Sequence, residues 1–230
     1  MRINSLESSI AEHQPLPDKI ANFVREAIIV GKLKPGEKIS EAKLADELHI
    51  SRTPIREAIR MLESEGFVSI IPRRGTIVSE FSVEDLYEYF QVKACLEAFA
   101  AAGVVDALTE RDLAKMRKLN EEEVAAINAG DFGHFLRIHE DFHQIFLSRT
   151  VNSKLLSLIQ HMGFHIRRLE KIFHDHPEIF VDCSKTHAQL ISAFEARDAV
   201  KVREMVENNI LHIAENIKRY GVASREHGKG

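Results

Sequence analysis

A chain of 230 residues that is 44% hydrophobic is long enough for one or two globular domains, with a core well above the small-domain limit. Charged residues make up 29% of it, mixed in sign, and the net charge is −4, which excludes a polybasic tail or a disordered acidic segment. Any affinity for nucleic acid must then come from a local patch. Cys95 and Cys183 lack the CxxC spacing of a zinc knuckle or redox motif and read as free thiols. With no signal-peptide core and no run of about 18 apolar residues, the chain is expected to stay in the cytoplasm and off the membrane.

Residues 1–14 are polar and uneven in pattern, as is the Gly-rich, charged end from residue 221, so both ends are expected to fray. From Ile20 to Val30, apolar residues recur at three and four positions until Gly31 and Pro35-Gly36 stop the pattern, which predicts a first helix of about three turns. Ser40 opens SEAKLADEL, and after the short His49-Ile50-Ser51 connection a second pattern runs through Ile55, Ala58, Ile59 and Leu62. Two short helices joined so tightly suggest a helix-turn-helix. Gly66 ends the second, and FVSII, PRRG and TIVS read as two strands around a turn, a wing.

In SRTPIREAIRMLESEG the inward face leaves Arg52, Thr53 and Arg56 free to enter a major groove. A guanidinium fork can grip guanine O6 and N7 or a phosphate with two bonds, and Thr53 can meet a phosphate or a thymine methyl. Arg60, one turn on, suits the DNA backbone, as does the helix N-terminus, where Ser51 or Thr53 is the expected cap. The basic turn Arg73-Arg74-Gly75 would lay the wing along a minor groove. The bland alternative is a solvated face whose arginines pair with Glu57, Glu63 and Glu65.

Beyond Ser79 the strand-like alternation ends and helical patterns continue, which sets a boundary near residues 79–82. Helices are expected at about 83–107, 109–129, 131–149, 152–173, 178–196 and 198–220, with capping-box starts at Ser82/Asp85 and Thr109/Asp112. The fold class is therefore mainly α. A winged helix-turn-helix of three helices and a β-hairpin over residues 10–79 precedes an all-α six-helix bundle over 82–221.

The stretch ISEAKLADELHISRTPIREAIRMLESEGFVSIIPRRGTIV resembles the winged helix-turn-helix of GntR-type regulators over residues 16–80. The resemblance implies a homodimer on a pseudo-palindromic double-stranded DNA operator, with Arg52, Arg56 and Gly75 at DNA-touching positions. Ala42 stands where some members carry a further DNA-contacting arginine, and Lys43 beside it is a substitute.

In the helical part His139 and His143 are four apart, so both imidazoles share one helix face that a divalent metal can bridge. HEDFHQIFLSRTVNSKL, THAQLISAFEARD and the last amphipathic helix resemble the FCD effector domain of the FadR subfamily, and six helices point to its VanR-like branch. That resemblance implies a divalent ion, zinc or nickel, held by His139 (usually Asp), His143, His187 and Asn209 (usually His). Asn209 is the weak donor of the set, with His212 as a replacement. It also implies a small organic acid effector, with Lys93 where many members carry an arginine; the plain alternative is that Lys93 only lies beside Glu97. The pair His161 and His165 reads as structural, because Arg167 and Arg168 would repel a cation. A metalloenzyme is the rival class, but it lacks a general base, since Glu140 is expected to point off the ligand face. No catalytic residue is assigned.

Overall fold

The computed structural model describes residues 15–168, 173, 176–180 and 182–227. The expectations for residues 1–14, for most of 169–175 and for the last three residues lie outside this range. The chain divides into two compact units, residues 1–81 and 82–230.

In the first unit, α1 (Leu16–Ile29) begins four residues before the apolar periodicity does, because Pro17 is well placed in a helix's first turn. α2 (Glu41–Leu48) starts at Ser40, whose side chain accepts from Lys43 N–H, and ends at His49 in the left-handed region (φ 54°). α3 (Arg52–Ser64) buries Ile55, Ala58, Ile59 and Leu62, as its periodicity requires. The wing is β2 (Val68–Ile71) paired antiparallel with β3 (Gly75–Val78). A further strand, β1 (Lys38–Ile39), pairs with the other edge of β3 and gives the order β1-β3-β2. Two residues are too few to show an alternation, so this strand is fixed by its partner alone. Arg73 and Gly75 take positive φ (64° and 88°), which turns the hairpin at its basic tip.

Arg25 is buried on α1 and donates twice to Glu65 at the end of α3, with Nη2 to Oε2 at 2.7 Å. This pair bolts α1 to α3 beneath Phe67, whose ring faces the guanidinium.

The second unit has six α-helices among the described residues: α4 (Val83–Gly103), α5 (Glu110–Ala129), α6 (Phe132–Leu147), α7 (Ser153–Arg167), α8 (Cys183–Glu195) and α9 (Ala199–His227). Both expected capping boxes close, at Ser82/Asp85 and Thr109/Asp112. Three expectations change. The helix expected at 152–173 ends as α7 at Arg167, with Arg168 at its C-cap. The helix expected at 178–196 is split into a 3-10 turn (Pro177–Phe180) and α8. There the buried Asn216 side chain donates to the Ile179 carbonyl, taking over a bond that a continuous helix would have made. α9 runs past Gly221 to His227 instead of ending at 220, since a lone glycine weakens a helix without stopping it. The core is built on phenylalanine, with Phe135, Phe142, Phe146 and Phe194 fully buried.

Asp112 serves the α5 cap and also accepts from Arg149 at 2.7 Å. The Arg149 bond is the main cause that holds its carboxyl down at about 2. A group with a lowered folded pKa adds stability above its unfolded value of about 4, and that stability is lost as pH falls toward 2. Asp112→Asn should therefore cost about 1 kcal/mol at neutral pH, with the gap to wild type closing between about pH 4 and pH 2. Thermal unfolding at several pH values checks this, and identical melting at pH 7 would refute it.

Candidate functional site

In the winged unit, Ser51, Arg52, Thr53, Arg56 and Arg60 all lie exposed along α3, and Arg73, Arg74 and Gly75 lie exposed at the wing tip. Ser51 occupies the N-cap position, but its side chain makes no capping bond, contrary to expectation; its extended backbone (ψ 162°) suffices to start the helix. The first N–H groups of α3 thus lack a side-chain cap. Two of the three glutamates expected to neutralise the arginines are engaged elsewhere: Glu65 holds Arg25, and Glu63 accepts from the Ile70 amide. Arg56 instead donates to Glu41 of α2 at 3.0 Å, on a side chain 64% exposed. Among the described residues Arg52 and Arg60 have no ion-pair partner. Lys43 is exposed and meets Glu47 at 3.8 Å.

In the helical unit the fold brings His139 and His143 of α6 together with His187 of α8, with one ligand atom from each within 4.8 Å of the others. Helical spacing supplies the first two; the third arrives because α8 starts at Cys183 and presents His187 one turn later. His187 is fully buried, its ring stacked flat on Phe142 at 3.9 Å. Two carboxylates orient the rings. His143 Nδ1 is 2.8 Å from Glu97 Oε2, and His187 Nδ1 is 2.8 Å from Glu123 Oε2. His139 Nδ1 lies 3.3 Å from the other Glu123 oxygen. With Nδ1–H donating to a carboxylate in His143 and His187, Nε2 of each of these two rings carries a free lone pair, and both Nε2 atoms are buried without any hydrogen-bond partner.

Charge follows from burial and pairing. Burial pushes the Glu97 carboxyl up, but Lys93, 2.7 Å away, and His143 outweigh it and hold it at about 2. Burial dominates for His143 and takes it down to about 3, against the pull of Glu97, so this imidazole is neutral at pH 7. Its bond to Glu97 is then that of a neutral N–H, and Lys93 is the cation that balances this carboxylate. Burial likewise lowers His187. Glu123 is pushed up by burial and brought down to about 2 by His139 and His187, with neither Lys nor Arg among its causes. This carboxylate, at 0% exposure, therefore depends on the two imidazoles for its compensation.

His139, His143, Glu97 and Lys93 line a cavity of about 560 Å³ bounded by α4, α6, α7 and α9. Lys93 pairs with Glu97 and also lines the cavity. Glu140 also lines the cavity, from an exposed position, but lies outside the cluster of ligand atoms, one residue being about 100° on a helix. Asn209 is buried, with its Oδ1 3.9 Å from the Cys183 thiol, itself pushed up mainly by burial. His212 is half exposed and turned to Asn216 and Asp182, so it stays outside the histidine cluster and cannot replace Asn209. His165 stacks on Tyr89 at 4.6 Å, and His161 Nδ1 is 2.6 Å from the Ser157 carbonyl.

Glu123 went unnoticed in the sequence, and Glu97 was read only as a neighbour of Lys93, though helical phase points to both. Glu123 continues the buried series Leu113, Met116, Leu119 and Ala126, and Glu97 falls among Phe90, Ala94 and Ala101. A carboxylate on an apolar stripe needs a partner inside.

Comparison with known proteins adds the following. The family model of bacterial regulatory proteins, gntR family, matches residues 16–78, and that of the FCD domain matches residues 88–212. YdhC of Bacillus subtilis, named an uncharacterized HTH-type transcriptional regulator, is 30% identical over 180 residues, which cover 73% of this chain and 80% of the relative. The HTH-type transcriptional repressor RspR of Escherichia coli is 23% identical over 94% of each chain. Among solved structures, E. coli McbR/YncC superposes with a TM-score of 0.65 at 24% identity, covering 90% of this chain and 99% of that one. No helix among the described residues is long and apolar enough to cross a membrane.

Proposed function

Since the chain belongs to the gntR family of bacterial regulatory proteins and carries an FCD domain, it is a transcriptional regulator rather than an enzyme, and we propose that it is a homodimeric, metal-dependent one that acts in the cytoplasm on a pseudo-palindromic operator. Its subfamily is that of FadR, in the VanR-like branch, a reading with which the FCD match over residues 88–212 is consistent.

In this reading Arg52, Thr53 and Arg56 read the major groove. Ser51, Arg60 and the uncapped start of α3 hold phosphates, and Arg73, Arg74 and Gly75 carry the wing into the minor groove. His139, His143 and His187 hold a divalent ion, zinc or nickel, while Asn209 is a weak donor near it. A bound ion would supply an open position for a carboxylate oxygen. Lys93 would meet the same carboxylate as a point charge, at the expense of part of its contact with Glu97. Effector affinity and operator affinity are then linked reciprocally through the equilibrium between two states of the chain.

The observation that carries the metal reading is the pair of buried, unpartnered Nε2 atoms on His143 and His187, aimed at one point and backed by buried carboxylates. Donors so placed fit a borderline cation with nitrogen ligands. Protein expressed with zinc and nickel in the medium and purified without chelator should carry about one divalent ion per chain, measured by plasma mass spectrometry. His187→Ala should lose it. A metal-free wild type after that growth would defeat the assignment.

A further inference from the structure

Gly163 lies in α7, four residues from its end, where glycine is among the least favourable residues. Its backbone is ordinary helix, so no positive φ calls for it. A Cβ built there meets no heavy atom within 4 Å, so no neighbour calls for it either. What Gly163 does face is the cavity. The glycine leaves room there that even alanine would begin to fill.

The rest of the lining says what that room suits. Lys93, His139 and His143 bring charge and nitrogen donors from α4 and α6. The α7 and α9 walls add mostly hydrocarbon: Leu156, Ile159, Phe164, Ile210 and Ile213, with Gln160 and Arg167 as the polar exceptions. A volume of about 560 Å³ falls within the roughly 300–1,000 Å³ of sites that enclose a ligand of many heavy atoms. A two- or three-carbon acid would leave most of it as water against apolar walls, which is unfavourable.

We propose that the cavity takes an amphiphilic organic acid, with its carboxylate at Lys93 and the histidines and its apolar body lying across Gly163, which makes Gly163 a determinant of ligand length. The head group rests on the metal and Lys93 reading given above; the body rests on the α7 and α9 walls alone.

The test uses straight-chain alkanoates from acetate to decanoate, titrated calorimetrically into zinc-loaded full-length protein and into protein stripped of metal. Affinity should rise roughly threefold per methylene from acetate through octanoate. Gly163→Leu should hold acetate within about twofold and weaken octanoate by at least about tenfold. Gly163→Ala, the milder variant, should raise the melting temperature of ligand-free protein by about 2–4 °C while weakening only the longest acids. Equal binding of acetate and octanoate, indifference of octanoate to Gly163→Leu, or no alkanoate binding at all would overturn the proposal. If zinc binds one per chain and the series is flat, this inference fails and the metal reading stands. If the length and Gly163 dependence persist in protein that takes up no zinc, the metal reading fails and this inference stands.

Discussion

Arg56→Ala is expected to weaken specific operator binding roughly 5- to 150-fold in a mobility-shift assay while leaving the oligomeric state unchanged. A bidentate arginine contact to a base pair is worth about 1–3 kcal/mol, or roughly 5- to 150-fold in affinity. Arg52→Ala should cost a similar amount. In the free protein Arg56 spends its fork on Glu41 at 3.0 Å, but a pair this exposed is worth at most about 1 kcal/mol and yields readily to DNA. That contact makes a prediction of opposite sign. Glu41→Gln releases Arg56 and removes a negative charge next to the reading helix, so it should tighten operator binding. Arg60→Ala should weaken specific and non-specific DNA alike and lower the salt slope by about one. Unchanged operator affinity in Arg56→Ala would sink the assignment of α3 as the reading helix.

The reading helix was legible in the sequence because everything that defines it is local. Ile55, Ala58, Ile59 and Leu62 state the buried face by their spacing, and the arginines occupy what is left. The capping boxes at Ser82 and Thr109 were legible for the same reason, being complete within four residues. What escaped depends on partners distant along the chain. β1 exists because Lys38 and Ile39 find Ile77 and Thr76, and Arg25 can be buried because Glu65 is forty residues on. The break before α8 depends on Asn216 reaching back to Ile179. The histidine site shows both cases. His139 and His143 announced themselves by a spacing of four, and His187 entered by resemblance, whereas Glu123 was hidden in the run Glu121, Glu122, Glu123, where two of the three face water or lie near it. Only its phase against Leu119 and Ala126 sets it apart, and the reason a carboxylate sits there appears once His139 and His187 are seen around it.

Glu123→Gln is the second change with a large expected effect, and its signature separates orientation of metal ligands from mere packing. The glutamine has nearly the same volume, and its carboxamide oxygen can still accept from His187 Nδ1, so the ring keeps its place. What is lost is the negative charge that makes two imidazoles stronger donors, and loss of such a partner typically weakens metal affinity about 10- to 100-fold. In metal-free protein the carboxylate, held at about 2 by His139 and His187, also adds stability at neutral pH, so the metal-free variant should melt below the metal-free wild type. At saturating zinc the increment in melting temperature should shrink by the equivalent of about 1.4–2.7 kcal/mol, or several degrees at roughly 2–4 °C per kcal/mol. The two melting curves should therefore draw further apart as zinc is added. If Glu123 only fills space, the variant will instead melt lower by the same amount with and without zinc, and the carboxylate has no part in holding a metal.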